Sequence, residues 1–152
     1  MKQKLLGSKP KIIAHRGNIN GPQPENENKY SYIQNALSFG FDVEVDVWVK
    51  NGQIYFGHDN PTYNANKEMI KEINYNGWFH CKNLEALEYF YYNFNEYNYF
   101  WHQSDDYAIT SQGHIWTFPG KEYGLLSIVV DFSQGSISKY KNVYGICSDY
   151  VL

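Results

Sequence analysis

Phe41-Asp42-Val43-Glu44-Val45-Asp46-Val47 alternates valine with acid. A period of two predicts a strand with Val43, Val45 and Val47 on one face and Glu44 and Asp46 on the other. Two carboxylates side by side repel each other unless a cation lies between them. A hard divalent ion with oxygen ligands, Mg²⁺ or Ca²⁺, suits that pair. A surface strand with its acids in water would show the same alternation, so the flanking residues decide what it means. Upstream, Ile12-Ile13-Ala14 is an apolar run leading into His15-Arg16-Gly17, and downstream comes Phe56-Gly57-His58-Asp59. Between them lie Pro24-Glu25-Asn26 and a helical pattern with apolar positions at Tyr30, Ile33, Leu37 and Phe39. The order reads strand, loop, helix, strand, hairpin, with polar residues gathered where strands end. His15 and His58 are the acid/base candidates, because imidazole titrates nearest neutrality and can both take and give a proton.

His-Arg-Gly at 15–17, Pro-Glu-Asn at 24–26, Gly-Phe-Asp-Val-Glu-Val-Asp-Val at 40–47 and Asn-Gly-Gln-Ile-Tyr-Phe-Gly-His-Asp at 51–59 match in order and spacing. In these the chain resembles the glycerophosphodiester phosphodiesterase family, of the phospholipase-C-like phosphodiesterase superfamily, over about its first third. The resemblance implies a metal-dependent phosphodiester hydrolase of lipid or related metabolism. It places acid/base roles on His15 and His58, phosphate binding on Arg16, and metal-side acids at Glu25, Glu44 and Asp46. It also implies a TIM-type β/α barrel. Such barrels take about 250 residues, and this chain has 152. The expected fold is therefore a compact, reduced barrel with missing or shortened helices in its second half. An open α/β sheet of six or seven strands would give the same periodicities.

The third core strand, Trp78 to Asn83, departs from the family. Where an acid-x-Lys pair is expected stands His80-Cys81-Lys82. Lys82 keeps the phosphate-binding role implied by the resemblance. His80 replaces a charged oxygen ligand with a neutral, softer nitrogen, which shifts the preference towards Mn²⁺ or Zn²⁺. Alternatively His80 meets the substrate and leaves the metal to the acids.

Elsewhere a helix is expected from Glu25 or Asn26 to Gly40, a hairpin at Asn51-Gly52, and helices over Asn64–Ile73 and Leu84–Phe94. Short strands follow at 99–102, 107–110, 115–118, 126–131 and 143–148. His102 is expected as a substrate contact, and Trp116 and Asp149 as residues of the pocket wall.

One domain spanning 1–152 accommodates 43% hydrophobic residues. A net charge of −3 with scattered basic residues gives no nucleic-acid footprint. Residues 1–11 carry lysines without an apolar run, so neither a leader nor a membrane span is expected, and a cytoplasmic protein is the default. Cys81 and Cys147 sit in apolar strand-like segments and read as buried free thiols. No protein partner is implied; the expected partner is a small or polymeric phosphodiester. The rival reading is a non-catalytic module that binds a phosphate or sugar-phosphate group on the same fold. A glycosidase-type pair on Glu44 and Asp46 is disfavoured, because carboxyls two apart on a strand lie side by side and do not flank a bond.

Overall fold

The alternating stretch becomes the central strand of a strongly curled sheet. In chain order the computed structural model has β1 (Lys11–His15), α1 (Tyr30–Ser38), β2 (Asp42–Lys50), β3 (Gln53–Phe56), β4 (Tyr63–Ala65), α2 (Lys67–Ile73), β5 (Gly77–Cys81) and α3 (Leu84–Asn93). There follow β6 (Asn98–Phe100), β7 (Tyr107–Ile109), β8 (Ile115–Thr117), β9 (Ser127–Val130) and β10 (Gly145–Ser148). It describes residues 7–152. The expectation for the amino terminus falls mainly on residues 1–6, outside the described residues.

β2 pairs with β1 and β5 in parallel, and its far end pairs with the antiparallel hairpin β3–β4. On one flank β5 leads to β6, and on the other β1 leads through β10 and β9 to β8 in parallel, then to antiparallel β7. The curl brings the two margins near each other, where the Ser111 N–H donates to the Tyr99 carbonyl at 2.9 Å.

This corrects the expected fold. The architecture is a curled, mixed, ten-stranded half-barrel with three short α-helices among the described residues, not a β/α barrel with alternating helices and not a six- or seven-stranded open sheet. The physical cause lies in the connections. Residues 101–106 are too few for a helix between β6 and β7, and β9 and β10 are joined by a single 3-10 turn, Ser136–Ser138. The outer face of β9 and β10 is therefore covered only by a small cluster around Val129, Val143 and Ile146.

Two cores sit on the two sides of the sheet. Outside, Val43, Val45, Val47 and Val49 pack on Ile33 and Ala36 of α1, Ile70 and Ile73 of α2, and Ala86 and Phe90 of α3. Inside the curl, Ile13, Trp78, Phe100, Trp116, Ile128, Val130 and Cys147 fill the space. Trp78 anchors this inner layer, its Nε1–H donating to Asp42 Oδ2 at 3.0 Å.

α1 starts at Tyr30, later than Glu25 or Asn26, because Asn28 is left-handed (φ +66°) and Lys29 is extended. Residues 63–65 form β4, so the segment expected to be helical from Asn64 begins as a helix only at Lys67, capped by the Asn66 side chain. Cys81 and Cys147 are free and buried, as expected, and burial raises both thiols' pKa values, which makes them poor nucleophiles. Among the described residues no helix is long and apolar enough to cross a membrane.

Candidate active site

The inward positions of the parallel strands carry apolar groups low in the curl and polar groups at the carboxyl ends. β1 runs Ile13 then His15; β2 runs Asp42, Glu44, Asp46; β5 runs Trp78, His80 and then Lys82. Register places His15 beside Glu44 and Asp46 beside His80. Period two has thus lifted residues from three separated stretches to one mouth, where they line a cavity of about 270 Å³ with His58 at its rim.

Glu44 and Asp46 are each 1% exposed. His80 Nδ1 lies 3.3 Å from Asp46 Oδ1 and 3.7 Å from Glu44 Oε1, and its Nε2–H donates to the His102 carbonyl at 2.8 Å. That bond fixes the imidazole with Nδ1 turned to the acids. Burial opposes charge on His80, yet the close approach of Asp46 and attraction from the Glu44 and Asp46 carboxylates prevail and raise its pKa to about 9. Burial likewise tends to raise the Asp46 pKa, and His80, Arg16 and Asn28 together outweigh it and hold the carboxyl below its ordinary value. Glu44 Oε1 is buried and has no hydrogen-bond partner. A buried carboxylate oxygen without a partner is costly. Glu44, Asp46 and His80 present donor atoms within 4.8 Å of one another, so the unpaired oxygen and the donor set fit a divalent cation. In a second group of that kind, His15, Glu27 and Asp149, one atom of each residue is engaged in internal hydrogen bonds: His15 Nδ1, Glu27 Oε1 and Asp149 Oδ1.

Arg16 stands at φ +54°, a strained backbone position for a residue with a Cβ, held by its N–H donating to the Glu44 carbonyl at 3.0 Å. Its Nε lies 3.2 Å from Asp46 Oδ2. Lys82 Nζ lies 4.0 Å from Asp46 Oδ1. His15 Nδ1–H donates to Asp149 Oδ1 at 2.8 Å, which leaves Nε2 as the free nitrogen, 3.8 Å from Glu44 Oε2. His58 Nδ1–H donates to Asp59 Oδ1 at 2.6 Å, again leaving Nε2 free. The turn that carries His58 depends on Gly57, at φ +154°, where a Cβ would run into the Asn60 carbonyl.

Seven of the nine expected residues, His15, Arg16, Glu44, Asp46, His58, His80 and Lys82, meet at this cavity. His102 lines it too, but its side chain is turned to the Asp105 carbonyl, and its backbone oxygen does the orienting of His80. Glu25 is a correction. It is exposed, outside both donor groups, because the turn before α1 faces it to solvent. Glu27 stands inward instead, accepting from Asn18 Nδ2 at 2.9 Å and lying 3.8 Å from the Arg16 guanidinium. Next to it, Asn28 donates to Asp46 Oδ2 at 2.9 Å and accepts from the Asp46 N–H at 3.0 Å. The repeated Glu-Asn dipeptide, at 25–26 and 27–28, was the available signal, and the preceding proline draws attention to the wrong copy.

Asp149, expected in the wall, is the partner that orients His15. Against its partial burial, His15, Asn18 and Arg16 hold its pKa below the ordinary value. Its Oδ1 accepts from both His15 Nδ1 and Asn18 Nδ2. Because Asn18 demands an oxygen at that point, Asp149→Asn should keep the His15 tautomer and lose only the negative charge. We expect any acid/base turnover to fall about tenfold, less than loss of the base itself, as measured by steady-state kinetics of the two proteins.

Phe132 covers His15, with ring centroids 4.3 Å apart. The loop bearing it is tied by Asp131, which accepts from Ser133 N–H (2.9 Å), Ser133 Oγ–H (2.6 Å) and Tyr140 O–H (2.6 Å). Burial tends to raise the Asp131 pKa, but these bonds and Lys139 take it down to about 2. A carboxyl lowered on folding stabilises the fold above its unfolded pKa of about 3.9, and that contribution is lost as pH falls through the folded value. On acid titration the stability advantage of wild type over Asp131→Asn should therefore shrink and vanish between about pH 4 and pH 2, a change of about 1 kcal/mol or less, since Lys139 and Ser133 are solvent-exposed.

Comparison of the chain with protein-family models, with curated proteins and with solved structures found no match in any of the three.

Proposed function

We propose that this protein is a metal-assisted phosphodiester hydrolase resembling the glycerophosphodiester phosphodiesterases. The observation that carries the reading is one mouth holding two imidazoles with free Nε2 atoms, two cationic side chains and a buried carboxylate pair with an unpaired oxygen. Glu44 and Asp46 would hold the divalent ion, with His80 Nδ1 as a third donor. When bound, such an ion supplies electrostatic stabilisation of charge developing on the phosphate oxygens. Arg16 offers a planar fork to those oxygens and Lys82 a point charge. His15 and His58 act as the proton-transfer pair, one taking the proton of the attacking water or neighbouring substrate hydroxyl and the other giving a proton to the ester oxygen that leaves as the P–O bond breaks. Asp149 and Asp59 each hold their histidine with Nε2 outward. The nitrogen donor favours Mn²⁺ or Zn²⁺ more than an all-oxygen site would.

One feature favours the rival binding module. A protonated His80 between Glu44 and Asp46 can itself serve as the cation that the acids need. The two readings separate in a single assay: metal-stripped protein with bis(4-nitrophenyl) phosphate, Mg²⁺, Ca²⁺, Mn²⁺ or Zn²⁺ being restored in turn. Turnover restored by an ion supports the hydrolase, and folded protein inactive with every ion supports the module.

A further inference from the structure

Two outer surfaces of the sheet complement each other in shape and charge. The first belongs to β9 and β10. Parallel strands ordinarily carry helices on their outer face. The crossovers 118–126 and 131–144 that lead into these two strands contain, among the described residues, one 3-10 turn and no α-helix. Tyr123 and Tyr140 join the crossovers edge to face, ring centroids 5.3 Å apart. Beside that contact lies an open cavity of about 550 Å³, lined among the described residues by Tyr123, Gly124, Leu125, Lys139, Lys141 and Asn142, and by no acid. Tyr123, Leu125 and the adjoining Leu126 are exposed. Lys139 is engaged by Ser133 and Asp131, whereas Lys141 is exposed and has no ion-pair partner among the described residues.

The second surface is the outward face of α3, a helix that packs on β2, β5 and β6, on the other side of β1 from β10. Helical spacing brings Leu84, Glu88, Tyr91 and Tyr92 together there. All four are exposed, Tyr92 by 80%. Residues 84–93 include Glu85 and Glu88 and no cation. Glu85 is engaged by the Asn51 and Gly52 N–H groups, which leaves Glu88 to the surface. Pairing α3 with α3 would set Glu88 against its own copy, a like-charge contact. Nor can α3 reach the cavity within one chain, since the sheet fixes both.

We infer that the protein self-associates head to tail, α3 of one copy lying across the β9 and β10 crossovers of the next, with a tyrosine in the cavity and Glu88 beside Lys141. The contact buries the exposed tyrosines and leucines of both surfaces. It also gives two parallel strands the helical cover that their own connections lack. Because the two surfaces differ, the contact repeats from copy to copy as a ring or a chain. Neither surface shares a residue with the mouth, so the inference stands apart from the hydrolase reading.

Sedimentation of the full chain between about 1 µM and about 1 mM tests it. The average mass of wild type should rise past that of two copies, and less steeply in high salt, which screens exposed charge pairs. Gly124→Glu sets an acid in the cavity at a position where a Cβ meets nothing within 4 Å. Tyr92→Glu sets one on the face of α3. Each variant, checked for an unchanged melting temperature, should stay monomeric over the same range. Each also keeps one intact surface, so an equimolar mixture of the two should form pairs and stop at two copies. Wild type that stays monomeric throughout overturns self-docking and leaves the cavity to an acidic helix of another protein. Association that stops at two copies in wild type, or survives either variant alone, overturns the head-to-tail pairing, as does a mixture that remains monomeric.

Discussion

Glu44→Gln is expected to abolish ion-dependent phosphodiester turnover, a loss of roughly 10³-fold or more, comparable to removing a preorganised electrostatic partner of the transition state. Glutamine keeps the shape of the side chain and can still accept from the Arg16 N–H, which donates to Glu44 Oε2 at 3.2 Å. What it removes is the charge on the buried oxygen that has no hydrogen-bond partner and only the His80 imidazole, at 3.7 Å, as an ion-pair neighbour. In wild type a divalent ion that binds only the folded state should raise the melting temperature in proportion to its occupancy. Glu44→Gln should cancel both the turnover and that rise. A variant that lost turnover yet kept the full thermal response would show that the ion sits elsewhere and would sink the assignment of Glu44 as ligand.

Trp78→Ala should cost about 3–5 kcal/mol of folding stability, the usual range for emptying a buried aromatic position. For a domain whose total stability is about 5–15 kcal/mol that is a substantial share of the whole. Trp78 is 1% exposed, forms the floor of the inner layer with Phe100 and Trp116, and donates to the buried Asp42. Trp78→Phe separates the two contributions. It keeps most of the ring and leaves Asp42 with Asn76 and Lys11, so about 1–3 kcal/mol is expected from the lost hydrogen bond and the missing ring. Urea unfolding of both variants measures this. Equal, small losses would mean that the inner layer collapses around the vacancy and is not the support of the site.

The strand at the centre and the residues on its polar face could be read from sequence because alternation dictates them. Val43, Val45 and Val47 must be buried, and once they are, Glu44 and Asp46 have only one direction to face. His15 and His80 follow for the same reason, each lying two residues beyond an inward apolar residue, Ile13 and Trp78, and Lys82 continues the face of His80. The start of α1 was not legible, since it depends on the left-handed backbone of Asn28, and that conformation is secured by contacts with Arg16 and Asp46 contributed from two strands. Glu27 was missed with it. The curl of the sheet escaped for a different reason. Whether a strand has a helix on its outer face depends on connection lengths, and the motifs of the first third say nothing about connections in the last. Asp149 was visible as an acid after a strand, but its partner lies 134 residues away and no local pattern joins them.

That separation has a consequence for how the protein comes into being. β1 finds one of its two neighbours in β10, which follows it only after all the other strands described. Until β10 arrives, β1 has an open edge, His15 has no Asp149 carboxylate to fix its tautomer, and the inner layer lacks Cys147. High contact order of this kind slows folding and prolongs the exposure of unpaired strand to other chains. The mouth is thus assembled last, so its competence reports that the whole sheet has closed in register: an incomplete chain on the ribosome would carry nearly every motif and no working pair of His15 and Asp149.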